Sequence, residues 1–165
     1  KHLLKKKIDK FLLHQIESKI GSDFKLFFYK LGFLKNLRSV IDLNRKQRLF
    51  FVLIQPQVKC STKEIYSKVK KFNKPKFNKP HRKMFNYDYL KNTENSLEQI
   101  AFFKYKKLKK IKLFLEGLSS PSFVRMTGSG SALVAYFHSK ERCNDVKKQF
   151  ISKYKNYWCI TSKTI

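Results

Sequence analysis

The chain has 165 residues, with 38 Lys and Arg against 11 Asp and Glu for a formal charge of +27, and 42% of it is apolar, including 15% aromatic. That is enough apolar material to build the core of one domain, or of one domain and part of another. The longest apolar runs, such as residues 49–54, fall far short of the roughly 20 residues a membrane-spanning helix needs, which excludes such a helix and leads to the expectation of a soluble protein.

Nothing after Lys1 has the succession of charged, apolar and small residues that marks a secretory signal, and the start is expected to be a cut end. Only six of the basic residues are arginines, and Asn, Ile, Phe and Tyr are abundant. A bias toward A/T-rich codons explains lysine on every solvated face. Nucleic-acid sites also use the planar arginine fork, so the composition disfavours a nucleic-acid partner despite the charge. Cys60, Cys143 and Cys159 are odd in number and form no CxxC pair, which fits a reduced, cytoplasmic chain. His2, His14, His81 and His138 are scattered, and no metal site is expected.

Leu4, Ile8, Phe11, Leu12, Ile16 and Ile20 keep close to a 3.6-residue period and Gly21 follows, which predicts a helix over residues 2–20. Residues 21–34 read as an irregular turn and then a strand ending near Gly32. Residues 49–54 are a continuous apolar run closed by Pro56, the pattern of a strand buried on both faces. Ser61 and Glu64 have the spacing of a capping box, in which hydroxyl and carboxylate satisfy the free amides of a helix start. Ile65, Val69 and Phe72 extend that helix from Thr62 to Phe72, and its start at Ser61 and Thr62 is a place where an anion can sit.

The tandem KFNKPKFNKP of residues 71–80 reads as a loop. Apolar residues from Leu97 to Leu118 recur at helical spacing, giving one long helix or two in tandem. Residues 131–137 read as a strand, Ser139 caps a helix carrying Cys143, Val146 and Phe150, and residues 156–162 read as a final strand. The resulting order after residue 46 is an α+β pattern, a sheet covered by helices.

Residues 125–131 read RMTGSGS. Two glycines around one serine let consecutive amides face a phosphate oxygen, and Thr127, Ser129 and Ser131 add hydroxyls. The stretch has neither the Lys-Ser/Thr of a P-loop nor a dinucleotide GxGxxG, so taken alone it reads as a plain tight turn more than as a phosphate site.

Together with IGSDFKLFF, QPQVKCSTKEIYSKV and NSLE, in the order of the chain, this loop resembles the C-terminal part of the GHMP kinase superfamily. Within it, the likeness is to the kinases that act on a cytidine-diphosphate-linked methylerythritol in non-mevalonate isoprenoid synthesis. The resemblance implies a GHMP-kinase C-terminal domain over residues 46–165, preceded over residues 1–45 by the tail of an N-terminal S5-like domain. It implies ATP and Mg²⁺ as cofactors and phosphorylation of the acceptor's 2-hydroxyl. Residue by residue, it implies Asp23 as the catalytic base, Thr62 and Tyr66 as substrate contacts, and Thr127, Gly128, Ser129 and Gly130 as a loop close to the phosphates.

Phe24 and Lys25 stand where the family has Val-Pro, and Ser96 stands where it has an aspartate, at a helix start that Ser96 can still cap. The family's lysine near the start and its long ATP-wrapping loop do not occur, so the chain alone is expected to be inactive. Two other readings are a basic nucleic-acid-associated protein and a decayed, truncated homologue.

Overall fold

The structure, a computed structural model, describes residues 9–29, 31–36, 39–43, 48–71, 87–118 and 121–164. These fall into two compact units, residues 9–43 and residues 48–164.

In the first unit, α1 (Lys10–Ile20) begins where the Asp9 carboxylate accepts from the Phe11 amide and ends at Gly21; residues 2–8 of the expected helix lie outside the described residues. The apolar stretch that follows is a 3-10 helix over Ser22–Phe28, with the Phe24 and Phe28 rings edge to face at 5.3 Å. This corrects the expectation of a strand there. A strand, β1 (Gly32–Asn36), begins rather than ends at Gly32, and pairs antiparallel with β2 (Ser39–Asp42). A Cβ at Gly32 would stand 2.9 Å from Val40 Cγ1 and 3.2 Å from Leu26 Cδ2, so glycine at this position is what lets the chain pass under the 3-10 helix.

The second unit runs β3 (Phe50–Gln55), α2 (Thr62–Ser67), α3 (Tyr87–Lys91), α4 (Glu98–Lys104), α5 (Lys106–Gly117), β4 (Phe123–Met126), β5 (Leu133–Phe137), α6 (Lys140–Lys153) and β6 (Trp158–Lys163). Its sheet has the order β4-β5-β3-β6, and every neighbouring pair is antiparallel. The core joins Val52, Ile54, Val124, Met126, Leu133, Ala135 and Phe137 of the sheet to Ile65 of α2, Ala101 and Phe102 of α4, Leu108, Ile111 and Leu115 of α5, and Cys143, Val146 and Phe150 of α6. Alternate residues of β3, β4 and β5 supply it, as a pleated sheet with helices on one face requires. The result is the α+β arrangement expected, a sheet covered by helices.

Three details differ from the sequence reading. β3 is central yet not buried on both faces: Val52 and Ile54 are fully buried, while Phe51 and Leu53 are only half-buried, because the helices that complete the core lie on one face. α2 stops at Ser67; only Ile65 of that helix is fully buried, which gives later turns little to hold them, and Phe72 lies outside the described residues, as does most of the 71–80 repeat. β4, with its alternating half-buried and buried residues, is an additional strand. Of the two readings for residues 97–118, tandem helices is the one observed: Tyr105 leaves the helical region at φ −107° and ψ 76°, so that both helices turn an apolar stripe to the same core.

Candidate functional site

The glycine loop joins the neighbouring strands β4 and β5, whose pairing reaches Met126 opposite Leu133. Across its mouth the Thr127 amide donates to Ala132 O (2.9 Å), and the Gly130 amide donates to Thr127 O (2.9 Å). Gly130 has φ 91°, and a Cβ there would stand 2.9 Å from Met126 Sδ and 3.2 Å from Cys60 Sγ. The dihedral therefore favours glycine, and a Cβ would in addition press on the Met126 and Cys60 side chains. The amides of Gly128 and Ser129 donate to no acceptor among the described residues, so they remain available to an anion.

The loop's shape is imposed from outside. The Asn95 side-chain amide donates to Met126 O (2.9 Å) and Gly128 O (2.8 Å). Glu98 Oε1 accepts from the Met126 amide (2.6 Å), and its Oε2 is paired with Lys112 Nζ on α5 (2.6 Å). Arg125 donates to the Thr93 carbonyl, to Thr93 Oγ1 (3.0 Å) and to Lys91 O (3.3 Å). The NSLE and RMTGSG stretches, separate motifs in the sequence, are thus one hydrogen-bonded body. Charge-assisted bonds of the Glu98 kind are roughly twice as strong as neutral ones.

Ser96 does not cap α4, correcting that expectation. Asn95 Oδ1 accepts from the Leu97 amide (3.0 Å), and the helix carries no side-chain cap bond at Leu97. Asn95 therefore starts the helix with its oxygen and holds the loop with its nitrogen.

From the opposite side come Gln55 Nε2, donating to Ser131 Oγ (2.7 Å), and Thr62, whose hydroxyl lies 2.9 Å from the Ser129 hydroxyl. Thr62 opens α2, whose start is made by Ser61 Oγ accepting from the Glu64 amide (3.3 Å). The reciprocal half of the expected capping box is absent among the described residues, because the Glu64 carboxylate pairs with Lys104 and Lys68 instead. Its hydrogen bond to Lys104 holds the Glu64 carboxyl below its ordinary range and lifts Lys104 above its own. Tyr66 lies one turn beyond Thr62 on the same helix and is exposed.

Of the residues singled out in the sequence, the structure brings Thr62, Thr127, Gly128, Ser129 and Gly130 together, with Tyr66 one turn away. Asp23 is in the other unit, exposed on the 3-10 helix, and makes no hydrogen bond or ion pair among the described residues. Beside it, Lys25 is paired with Glu17 of α1 at 2.9 Å, so the lysine found where the family has proline is anchored within its own unit. What sequence reasoning missed are the holders, Asn95, Glu98, Lys112 and Arg125. Asn95, Glu98 and Arg125 were in view as motif letters, whereas Lys112 gave no signal among so many lysines.

Burial raises the Cys60 thiol and pushes Cys143 and Cys159 up to about 11, so none is an activated nucleophile at neutral pH. No group of three or more His, Cys, Asp or Glu among the described residues is placed to hold a metal ion, and no helix among them is long and apolar enough to cross a membrane.

The antiparallel sheet with helices over it is a fold shared with a solved kinase structure. The chain superposes on a crystal structure of 4-(cytidine 5'-diphospho)-2C-methyl-D-erythritol kinase with a TM-score of 0.64 at 20% identity, covering 97% of this chain and 59% of that one. No protein-family model matches the chain. Among curated proteins, it is 46% identical over 152 residues to the 4-diphosphocytidyl-2-C-methyl-D-erythritol kinase of Pelagibacter ubique, covering 92% of this chain and 54% of the relative. It is 35% identical over 132 residues to the kinase of the same name from Persephonella marina, covering 75% and 47%. The chain is a homologue of these kinases, and it spans about half the length of the curated relatives it matches.

Proposed function

We propose that the chain is the C-terminal part of a kinase that transfers the γ-phosphate of ATP to the 2-hydroxyl of 4-diphosphocytidyl-2-C-methyl-D-erythritol, in the cytoplasm, for isoprenoid precursor synthesis. The observation that carries this reading is the clasped glycine loop in a chain 46% identical to a kinase of that name. On this reading residues 46–165 form the C-terminal domain and residues 1–45 close an N-terminal S5-like domain.

Each residue then has a task its chemistry suits. The loop from Thr127 to Gly130 forms one wall of the phosphate site, offering the amides of Gly128 and Ser129 to oxygens that carry negative charge. Thr62 adds a hydroxyl beside Ser129, and the open ring of Tyr66 is free to lie against the cytosine. Asp23 orients the acceptor hydroxyl and takes its proton. Phosphoryl transfer relies on positioning and on stabilising charge, which is work for fixed amides more than for reactive side chains. Mg²⁺ belongs to the reading through the resemblance; the described residues offer it no ligand cluster, and the roles above are independent of it.

The test is to express the complete polypeptide from its gene and follow ADP release with 4-diphosphocytidyl-2-C-methyl-D-erythritol as acceptor, identifying the product by mass. Acceptor-dependent ADP release with a product one phosphate heavier supports the reading. Turnover with homoserine or mevalonate alone would remove it. The 165-residue chain by itself is expected to release none.

A further inference from the structure

Asn95 spans two carbonyls of the loop, those of Met126 and Gly128, at 2.9 and 2.8 Å. In a trans peptide the N–H points opposite to the C=O of the same plane. Fixing the Gly128 carbonyl toward Asn95 therefore fixes the Ser129 amide on the side away from it, unpaired among the described residues. The neighbouring Met126 carbonyl is tied to the same nitrogen, and the Met126 amide is tied to Glu98, which Lys112 in turn holds. Three peptide planes, 125–126, 126–127 and 128–129, are thus fixed by Asn95 and by Glu98 braced from α5, while Thr62 holds the Ser129 side chain.

We propose that Asn95, braced by Glu98 and Lys112, is a positioning residue that aims the Ser129 amide at a phosphate group of the bound nucleotide; this rests on the kinase reading above. Asn95 touches no substrate itself. A glycine-rich loop left alone samples many conformations, and an amide contributes to a phosphate site only when its direction is fixed before the ligand arrives.

Asn95→Asp separates this role from Asn95's other one. Aspartate keeps the oxygen that accepts from the Leu97 amide, so α4 starts as before, but it has no N–H for the two carbonyls and repels them. Amide hydrogen exchange on the complete polypeptide is the first readout. The hydrogen-bonded loop amides of Thr127 and Gly130 are expected to exchange about tenfold faster or more in the variant, while β3 and α5 exchange as in wild type and the melting transition stays cooperative. The second readout is steady-state kinetics of the complete enzyme. A rise in KM for ATP is expected, with kcat/KM for ATP down about 10- to 100-fold, the scale of losing one oriented donor, and an unchanged KM for the acceptor.

Unchanged exchange at the Thr127 and Gly130 amides would overturn the clasp. Faster exchange with unchanged ATP kinetics, or with both KM values raised together, would overturn the aiming role. A wild-type complete enzyme without activity would instead overturn the kinase reading and the aiming role with it, while the exchange data would still decide whether Asn95 fixes the loop.

Discussion

Asp23 and the glycine loop, two stretches that the sequence marks equally clearly, are built in opposite ways. The loop is gripped on one side by Asn95 and Glu98 and on the other by Gln55 and Thr62, with a glycine at Gly130 whose positive φ strains any larger residue. Asp23 is exposed on a seven-residue 3-10 helix, beside Phe27 at 85% exposure, without a partner among the described residues. The loop proposed as a phosphate wall is therefore organised by its own unit, whereas the proposed base is merely carried. A binding surface for many oxygens needs several groups held at once, while a single carboxylate needs only to be delivered.

That contrast can be broken or sharpened by substitution. The largest effect is expected from Asp23→Asn in the complete enzyme, a loss of about a hundredfold or more in turnover, with the melting temperature of the 165-residue chain unchanged because no partner is lost. A clear drop in melting temperature would show that Asp23 is held after all. Gly130→Val is expected to do the reverse on stability, costing about 2–4 kcal/mol from the strained φ and the crowding against Met126 and Cys60, read from urea unfolding of the chain. Wild-type stability in that variant would mean the loop adapts, and the contrast would weaken.

Thr62→Ala is milder, about 0.5–1 kcal/mol for one solvent-accessible hydrogen bond. Its sharper signature is faster exchange of the bonded Gly130 amide next to Ser129.

The smallest expected effect concerns pH. Glu64 has a lowered carboxyl pKa, so its pairing with Lys104 contributes above the ordinary carboxylate range and is lost as the pH falls through the lowered value. Melting curves of wild type and Glu64→Gln should therefore differ slightly at neutral pH and converge in acid. A difference that grows in acid would contradict the assignment.

Much of the second unit was legible from local chemistry. Val52 and Ile54 in an apolar run, Ser139 before a polar turn, and Cys143, Val146 and Phe150 at helical spacing each report their own surroundings, and β3, α6 and β6 follow. The motif letters, too, located the loop. What the sequence did not disclose is how Asn95 and Glu98 reach residues about thirty positions further on, since a carboxylate in NSLE looks the same whether it faces water or an amide of β4. The 3-10 helix at Ser22–Phe28 escaped notice for a related reason: a run of Phe, Leu and Tyr satisfies strand and turn patterns alike, and the contact of Phe24 with Phe28 that favours the helix is visible only in three dimensions.

The break at Tyr105, which folds α4 and α5 onto one core, has a consequence for protein engineering. Because Glu98 and Lys112 meet across that corner, the information that shapes the hexapeptide RMTGSG is stored in a helical pair some distance upstream of it. Grafted into a foreign hairpin, the six residues would carry their composition but leave their geometry behind. A cassette from Lys91 to Leu133, helices included, would carry the Asn95, Glu98 and Lys112 side of the grip, and the host would have to replace Gln55 and Thr62.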